Sequence, residues 1–586
     1  MNIKSITVAF LTLLLLGSAH PDPYPDDYFR SPLGIDLYLA GSFAEMRNNH
    51  FHAGLDIKTQ GQSGYRVYGA ADGWVSRIAV SPSGYGNALY VSHPNGYMTV
   101  YAHLKEFRDD IKEYVKDHQY KQQEFAVNIF PNRDQFKVSK GEVVALSGNS
   151  GSSGGPHLHF EIRDERTGKP VNPALWGFNI TDSTPPRIYR LKAYAIGEQS
   201  FLRIRDSKTG GWRRVDAGES VFIDVTRVNG IHQFSRVSRI EASGQIAFGV
   251  QTHDYHNGSS NRLGAFEIRL AEDDRTIYQS RMETIGFNES RYINAHVDFA
   301  ERRSSGRWIQ RSFVLPGNKL SIYDSKEQGI LTIQDGETRE LGYQVTDSFQ
   351  NLTNLSFTVH GISPAQTVAV AKAKEEGAFS MLHDQTFAWR ALDFAVNIPE
   401  GSLYANDEFL YETEPRVDST LFSGTHIVHK PDVPLHTSMT MEIVPRDLPV
   451  ALREKAMIVS VSPKGNISWA GGSWDRGVVR TKLRSFGRYA VGIDETPPTI
   501  RPLNISSGKR MTASSQIRFK IRDNLSGIKS YTGRVNGKWI LFAYDSKNSL
   551  LTHTFDDQVG SGKHILEMTV TDNKDNTTVL SLPFTR

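Results

Sequence analysis

Alternation of apolar and polar side chains is the main pattern of this chain, and it predicts short β-strands. Residues 156–162 follow this pattern over their whole length. Successive side chains of a strand point to opposite faces, so His157 and His159 should project from one face. The apolar residues between and after them should pack into a core on the other face.

Residues 87–103 have the pattern of a β-hairpin. Asn95-Gly96 supplies the turn, which needs a positive φ, between two runs of strand-forming residues. Alternate residues of the second strand share a face, which predicts that one face is made of Tyr97, Thr99, Tyr101 and His103. His103 is therefore expected at the end of a strand.

Helical spacing follows the hairpin. Four residues recur at intervals of three or four and predict a helix near 106–122, namely Phe107, Ile111, Val115 and His118. The segment 104–140 that contains this helix could wall a cleft, act as a lid or pack on the edge of the sheet. Packing is the default expectation. A second short helix is predicted at 365–376.

Turn-rich segments divide the rest of the chain. Thr184-Pro185-Pro186 and Thr496-Pro497-Pro498 each open a β-rich region. The segments 343–353 and 568–578 resemble each other, because each contains Val-Thr-Asp with an Asn four residues after the Asp. These openings and closings resemble those of bacterial immunoglobulin-like sandwich modules.

The length of 586 residues is too great for one core and indicates three to five domains. The predicted fold is mainly β, with an antiparallel, barrel-like N-terminal sheet domain and a small helical insertion, followed by several immunoglobulin-like sandwiches. The expected boundaries are 1–19 for an export signal and then 24–180, 184–360, 361–495 and 496–586. The region 184–360 is long for one sandwich and could contain insertions or two small units.

Composition narrows the function classes. The net charge is +3 without a long basic run, which gives no argument for nucleic acid as a partner. The absence of Cys excludes a disulfide framework and a zinc site closed by thiolates. Lys4, the apolar stretch 6–16 and the small residues 17–19 have the pattern of a cleaved export signal. We expect a mature protein without a transmembrane segment, in the periplasm or outside the bacterial cell.

Five polar residues have the types and spacing to build one open zinc site: His52, Asp56, His103, His157 and His159. The first two are four residues apart and can share one side of an extended segment, since Gly54 between them weakens a helix. Imidazole nitrogen and carboxylate oxygen bind Zn²⁺ at about 2.0–2.2 Å. Catalytic zinc sites usually have three protein ligands and a water molecule, so the pattern predicts a hydrolase.

These motifs resemble the lysostaphin-type zinc metallopeptidases, also called the LytM family, which cut peptide bonds in bacterial peptidoglycan. The resemblance covers residues 30–176, about a quarter of the chain. It rests on motifs in the family's order: His-x-x-x-Asp at 52–56, Tyr101-Ala102-His103, the glycine-rich stretch 148–155, His-x-His at 157–159 and Pro-Val-Asn-Pro at 170–173.

The resemblance implies a role for each residue. His52, Asp56 and His159 become the ligands of one zinc ion per chain, and His103 and His157 become the catalytic histidines. An unbound imidazole can exchange a proton near neutral pH or donate a hydrogen bond to an oxyanion. Which of the two histidines is the base stays open.

Other polar residues near the motifs receive weaker assignments. His50 and His93 are expected at the surface or behind the ligands. Glu161 could orient a ligand, although a solvated or salt-bridged carboxylate is an equally good interpretation. The pairs His253/His256 and His426/His429 are not expected to hold a second metal.

The leading function is a zinc-dependent endopeptidase that hydrolyses peptidoglycan peptides through a metal-activated water and two histidines. The alternatives are a non-catalytic regulator that activates another cell-wall hydrolase and a structural wall-binding protein. Regulators related to the family usually lack part of the ligand set, whereas all five residues are present here. The β modules are expected to position the enzyme on the wall or on partner proteins of the cell envelope.

Overall fold

The structure is a computed structural model that describes residues 24–363, 379–416, 418 and 420–586. The expected export signal at 1–19 and the short helix expected at 365–376 lie outside these residues. As predicted, the fold is mainly β, with an N-terminal sheet domain followed by further β-sheet domains. None of the described helices has the length and apolarity needed to cross a membrane.

The N-terminal domain is organised around the strand His157–Asp164. This strand pairs antiparallel with Leu55–Lys58 on one side and with Tyr97–Ala102 on the other. The main sheet runs in the spatial order Leu39–Gly41, Leu55–Lys58, His157–Asp164, Tyr97–Ala102, Asn87–Ser92, Gly73–Val80 and Val127–Ile129, with Lys137–Val138 and Pro170–Val171 at its sides. One smaller sheet contains Arg66–Tyr68, Val143–Leu146 and Glu106–Phe107. Another pairs Met46–Arg47 with His50–Phe51.

The alternation in 156–162 has the predicted structural consequence. Leu158, Phe160 and Ile162 are fully buried in the core of this domain. Removing such side chains from water contributes about 1.5–3 kcal/mol each. The core therefore fixes the rotation of the strand, and this rotation directs His157 and His159 to the opposite face.

The predicted helix is present and begins later than expected. It spans Asp109–Gln122, because Glu106–Phe107 instead pairs as a strand with Val143–Leu146. The buried residues of this insert helix are Ile111, Val115 and Gln119. Gln119 takes the place expected for His118, because the buried row advances by four residues at each turn. The short 3₁₀ helix Pro173–Trp176 closes the domain.

The next region packs around one apolar core that extends from Ile188 to Val359. Its connected sheet runs through Ile231–Phe234, Ser220–Val228, Arg187–Ala195, Val237–His253, Leu352–Gly361, Thr338–Thr346, Glu267–Glu272, Arg275–Arg281 and Tyr323–Ser325, with Phe201–Asp206, Trp212–Asp216, Gln310–Arg311 and Leu331–Ile333 paired beside it. The helical segments are Ser290–Tyr292, Ile293–His296, Phe299–Ser305 and Glu327–Gly329.

Two further β units follow, each with its own core. The first contains Phe379–Met381, Phe387–Arg390, Phe394–Ile398, Asp407–Phe409, Tyr411–Glu414, Thr425–Val428, Pro434–Ile443, Ala456–Val461, Ile467–Trp469, Ser473–Asp475, Val478–Ser485 and Gly487–Ile493, with the 3₁₀ helix Val450–Lys455. The last contains Thr499–Pro502, Lys509–Arg510, Gln516–Arg522, Ile528–Val535, Lys538–Trp539, Ala543–Asp545, Leu550–Thr554, Lys563–Asp572 and Thr577–Thr585, with the 3₁₀ helix Ser546–Asn548.

Candidate metal centre

Three donor atoms from separate parts of the chain converge at the start of the strand His157–Asp164. The Nε2 atom of His52 lies 3.0 Å from Oδ1 of Asp56 and 3.0 Å from Nδ1 of His159. The third separation, between Nδ1 of His159 and Oδ1 of Asp56, is 2.9 Å. The structure thus brings together the three residues that the sequence predicted as metal ligands.

Strand register accounts for this convergence. Asp56 lies directly opposite His159 in the sheet, and paired residues project their side chains from the same face. His52 precedes the strand of Asp56 in an extended loop, not in a helix. Two backbone hydrogen bonds hold this loop, one from the amide of His52 to Glu45 and one from the amide of Ala44 to His52.

Outer hydrogen bonds fix the orientation of both imidazoles. Nδ1 of His52 donates to the carbonyl of Ser42 at 2.7 Å. Nε2 of His159 donates to Oε1 of Glu161, also at 2.7 Å. These bonds select the tautomers in which the nitrogens that face Asp56 carry lone pairs.

The second oxygen of Asp56 is also held. Its Oδ2 atom accepts a hydrogen bond from Nη2 of Arg47 at 3.0 Å. Burial raises the pKa of Asp56, but the neighbouring imidazoles of His52, His157 and His159 outweigh it and hold the pKa well below its usual range. Asp56 is therefore a carboxylate and a good ligand for a cation.

The pocket favours positive charge at the position of His159. Burial lowers the pKa of this imidazole, yet Asp56 and Glu161 together raise it to about 9. Burial raises the pKa of Glu161, whereas Arg163 and His159 lower it to about 2. Two buried carboxylates thus flank His159, and a cation among these groups would offset their charge.

The donor set fits a zinc ion. Two imidazole nitrogens and one carboxylate oxygen are common zinc ligands at about 2.0–2.2 Å. The three atoms point lone pairs at one another across about 3 Å, which is unfavourable unless a proton or a cation lies among them. Their separations suit ligands that share one ion.

His157 lies at the edge of this triangle. Its Nδ1 atom donates to the carbonyl of Gly155 at 2.8 Å, so its Nε2 atom carries a lone pair. Nε2 is 3.3 Å from Oδ1 of Asp56 and, within the described residues, has no hydrogen-bond partner. A buried acceptor without a donor beside a metal centre is suited to receive a proton or to contact a ligand.

His103 faces the same site, but not for the reason that the sequence suggested. The expected shared face with Tyr101 was wrong, because Tyr101 lies opposite the core residue Phe160 in the sheet. The strand ends at Ala102, and His103 has a left-handed φ of 58° that turns its side chain to the other face. Its ring centroid is then 4.8 Å from that of His157.

The environment of His103 keeps its imidazole neutral. Burial and, to a smaller extent, the imidazoles of His159 and His157 lower its pKa to about 3, although the carbonyl of Ser150 acts in the opposite direction. Its Nδ1 atom donates to the carbonyl of Ser150 at 2.9 Å, which leaves Nε2 as the acceptor. The glycine-rich loop therefore orients both remaining histidines, through Ser150 for one and Gly155 for the other.

Three neighbouring residues also received assignments from the sequence: Glu161, His93 and His50. Glu161 is fully buried and is bonded by His159, Arg163 and Tyr85, which supports the interpretation of a residue that orients a ligand. The strand alternation that places Glu161 beside the histidines was the available signal. His93 is not at the surface, since it is buried against Asp72 and Thr99. His50 is exposed, as expected.

Comparison with known proteins assigns two parts of the chain. The model of peptidase family M23 matches residues 50–120 and 126–173, and the model of the Zu5-like domain matches residues 379–494. The first match contains all five residues of the site. It confirms the family resemblance drawn from the motifs.

Several curated proteins are similar over this part of the chain's length. The DD-carboxypeptidase/endopeptidase Mpg of Neisseria meningitidis is 34% identical over 157 residues, which cover 27% of this chain and 29% of that protein. The peptidoglycan DD-endopeptidase ShyA of Vibrio cholerae is 34% identical over 124 residues, or 21% of this chain and 23% of that protein. The murein hydrolase activator NlpD of Salmonella dublin is 32% identical over 120 residues, which cover 20% of this chain and 24% of that protein. The chain thus spans less than a third of the length of each relative.

Proposed function

We propose that this chain, which carries a domain of peptidase family M23, is a zinc-dependent endopeptidase that hydrolyses peptide bonds of bacterial peptidoglycan. The observation that carries the proposal is the triangle of donor atoms from His52, Asp56 and His159, with separations of 2.9–3.0 Å. Three ligands leave room for a fourth, which distinguishes a catalytic zinc site from a structural one. His103 and His157 stand beside this triangle with free acceptor nitrogens.

Each part of the site has a role in peptide hydrolysis. Zinc held by the three ligands would supply the Lewis acidity that activates a water molecule and polarises the scissile carbonyl. His103 donates through Nδ1 and presents Nε2 as an acceptor, so it can take a proton from the attacking water. His157 also presents Nε2 toward the ligands and, once protonated, can donate to the oxyanion or to the leaving amine.

The outer hydrogen bonds pre-organise these steps. Glu161 holds the ring of His159, and Ser42 holds the ring of His52, so neither ligand needs to reorient when substrate binds. The loop carbonyls of Ser150 and Gly155 hold the tautomers of the two catalytic histidines. This arrangement lowers the reorganisation that the reaction would otherwise require.

The relatives support peptidoglycan as the substrate class. Two of them are named as endopeptidases, and one of these is named as a peptidoglycan DD-endopeptidase. A substrate of this kind lies in the cell envelope, so we place the chain outside the cytoplasm. The Zu5-like region and the other β modules would hold the enzyme near the wall or near envelope proteins.

Hydrolysis of purified sacculi tests the proposal. Wild type should release muropeptides with new peptide ends in mass spectra. His52→Ala should lose both zinc and turnover, whereas His103→Ala should keep zinc and lose turnover by at least about 100-fold. Equal turnover in all three proteins would reject the enzyme.

A second candidate is a non-catalytic activator of another cell-wall hydrolase, since one relative is named a murein hydrolase activator. An activator would release nothing from sacculi alone and would accelerate a purified cell-wall hydrolase in the same assay. His103→Ala would not change that acceleration. The complete set of five site residues favours the enzyme.

A further inference from the structure

The segment that follows the N-terminal domain begins with a hydrogen-bonded frame. Oδ1 of Asp182 accepts from the amide of Thr184 at 3.0 Å, and its carbonyl accepts from the side chain of Asn351 at 3.3 Å. The same Asn351 amide donates to Oδ2 of Asp347 at 2.8 Å. The frame therefore joins the opening Thr-Pro-Pro motif to the closing Val-Thr-Asp motif of this module.

The last module contains the same frame. Oδ1 of Asp494 accepts from Thr496 at 3.2 Å, and its carbonyl accepts from Asn576 at 2.9 Å. Asn576 also donates to Oδ2 of Asp572 at 2.8 Å. A further carboxylate follows a strand in each module: Asp254 after Val237–His253, and Asp523 after Gln516–Arg522. Each module thus has three carboxylates close together: Asp182, Asp254 and Asp347 in the first, and Asp494, Asp523 and Asp572 in the last.

The two modules differ in the residue that lies near these carboxylates. The residue two positions after Asp572 is Lys574. Burial lowers the pKa of its ammonium, and nearby carboxylates, Asp494 and Asp572 among them, only partly offset this effect. The residue in the same place after Asp347 is Phe349. Within the described residues, no Lys or Arg forms an ion pair with Asp182, Asp254 or Asp347. The last module thus has a buried lysine near its carboxylates at the position where the first has Phe349.

Three buried side-chain atoms of the first module have no hydrogen-bond partner among the described residues. Asp254 is 2% exposed, and its Oδ1 atom has no hydrogen bond of normal geometry within the described part of the chain. His256 is 5% exposed, and its Nδ1 atom is likewise without a partner there. Its Nε2 atom is 3.7 Å from Oδ2 of Asp182, which is also without a partner. Buried polar atoms of this kind normally bind a donor, a water or an ion.

The carboxyl groups of the cluster disfavour ionisation of one another. Burial and the nearby carboxylates of Asp347 and Asp182 raise the pKa of Asp254 to about 8. Burial lowers the pKa of His256 to about 4, so its imidazole is neutral at physiological pH and carries a free lone pair. Without a cation, Asp254 is therefore mostly protonated at neutral pH, so a bound ion would have to displace this proton, and His256 would offer it a neutral nitrogen.

We propose that Asp182, Asp254 and His256 bind a divalent transition-metal ion. One potential ligand atom from each of the three residues lies within 4.8 Å of the others, a spread that modest side-chain rotation can close. Two carboxylate oxygens and one imidazole nitrogen suit Mn²⁺ or Zn²⁺, whereas Ca²⁺ prefers oxygen alone. This site adds a second metal to the single zinc that the sequence predicted, and it is independent of the proposed peptidase activity.

The position of the site gives the ion a structural task. The loop that starts at Asp254 contacts the N-terminal domain, since Lys58 donates to Ser259 at 3.0 Å and Asn261 donates to the carbonyl of Ala40 at 3.2 Å. Asp182 belongs to the connection that leaves the N-terminal domain. An ion at this place would join the connection to the loop and fix the orientation of the first β module on the peptidase domain.

Binding of Mn²⁺ to the full chain tests the proposal. The His52→Ala background removes a ligand of the catalytic centre, and electron paramagnetic resonance counts free and bound Mn²⁺. We expect about one bound Mn²⁺ per chain in His52→Ala and none after the further change Asp254→Asn. The matched control is Asp523→Asn in the last module, where bound Mn²⁺ should stay unchanged.

A second variant keeps the test decisive if Asp254→Asn fails to fold. His256→Gln removes the nitrogen ligand without adding charge, and Mn²⁺ binding should weaken at least tenfold. No bound Mn²⁺ in His52→Ala, or equal binding after Asp254→Asn in a folded protein, would overturn the proposal. Displacement of Mn²⁺ by equimolar Ca²⁺ would also overturn it, because the imidazole would then not be a ligand.

Discussion

Tyr120 on the insert helix donates its phenolic hydroxyl to Oδ2 of Asp556 in the last module at 2.6 Å, across 436 positions of sequence. Lys116, one turn earlier on the helix, lies 3.1 Å from the same carboxylate oxygen. The ring of Tyr120 also packs edge-on against Trp539. The insert helix therefore contacts the end of the chain, while its buried residues Ile111 and Val115 pack into the core of the N-terminal domain.

We predict that Asp556→Asn loosens this contact. The carboxylate is largely buried and accepts two hydrogen bonds from charged or phenolic donors, so its loss should cost about 1–3 kcal/mol. Hydrogen exchange should increase in the insert helix Asp109–Gln122 and in the segment 539–556. The neighbouring Asp557→Asn is the control, because Asp557 is exposed and should show no change.

The same contact should depend on pH. Burial raises the pKa of Asp556, but Tyr120 and Lys116 outweigh burial and hold it below its ordinary value of about 4. A carboxyl with a depressed folded pKa contributes stability above its unfolded pKa and loses it as pH falls through the folded value. The melting-temperature difference between wild type and Asp556→Asn should thus be largest above pH 5 and shrink below pH 4. A constant difference from pH 3 to 7 would contradict this explanation.

Lys547 of the last module should restrain the glycine-rich loop beside the catalytic histidines. Its ammonium donates to the carbonyl and side chain of Asn149 and to the carbonyl of Ser153 at 3.0 Å. Partly exposed charged hydrogen bonds of this kind contribute about 1 kcal/mol, so Lys547→Ala should speed amide exchange in 148–155 about fivefold. Lys538→Ala, an exposed site on the same module, should leave that exchange unchanged.

Glu161→Gln should weaken zinc binding without unfolding the domain. The amide keeps the size of the carboxylate but loses the charge that fixes His159, and such outer partners change metal affinity by about 10–100-fold. Competition with a chelator measures the affinity. The exposed Glu165→Gln serves as the control. Unchanged zinc affinity in Glu161→Gln would mean that Glu161 serves to bind Arg163 and Tyr85 and does not orient His159.

Local pattern determined most of the metal centre from sequence alone. Residues two apart on a strand must share a face, so the pair His157 and His159 was predictable, as was the buried row that carries them. The resemblance to the lysostaphin-type peptidases implied His52 and Asp56 as the other predicted ligands. The repeated Val-Thr-Asp motifs were likewise visible in the sequence, because each forms a local turn in which an Asn donates to the Asp four residues before it.

The tertiary structure decided what depends on long-range packing. His103 reaches the site through a left-handed backbone turn that alternation does not predict, and Glu161 is a ligand partner because neighbouring strands exclude water from it. Contacts between Tyr120 and Asp556 join segments more than 400 positions apart, whose meeting is set by the packing of whole modules. Periodicity fixes which way a side chain points along one strand, whereas the partners that it meets depend on the arrangement of every other element.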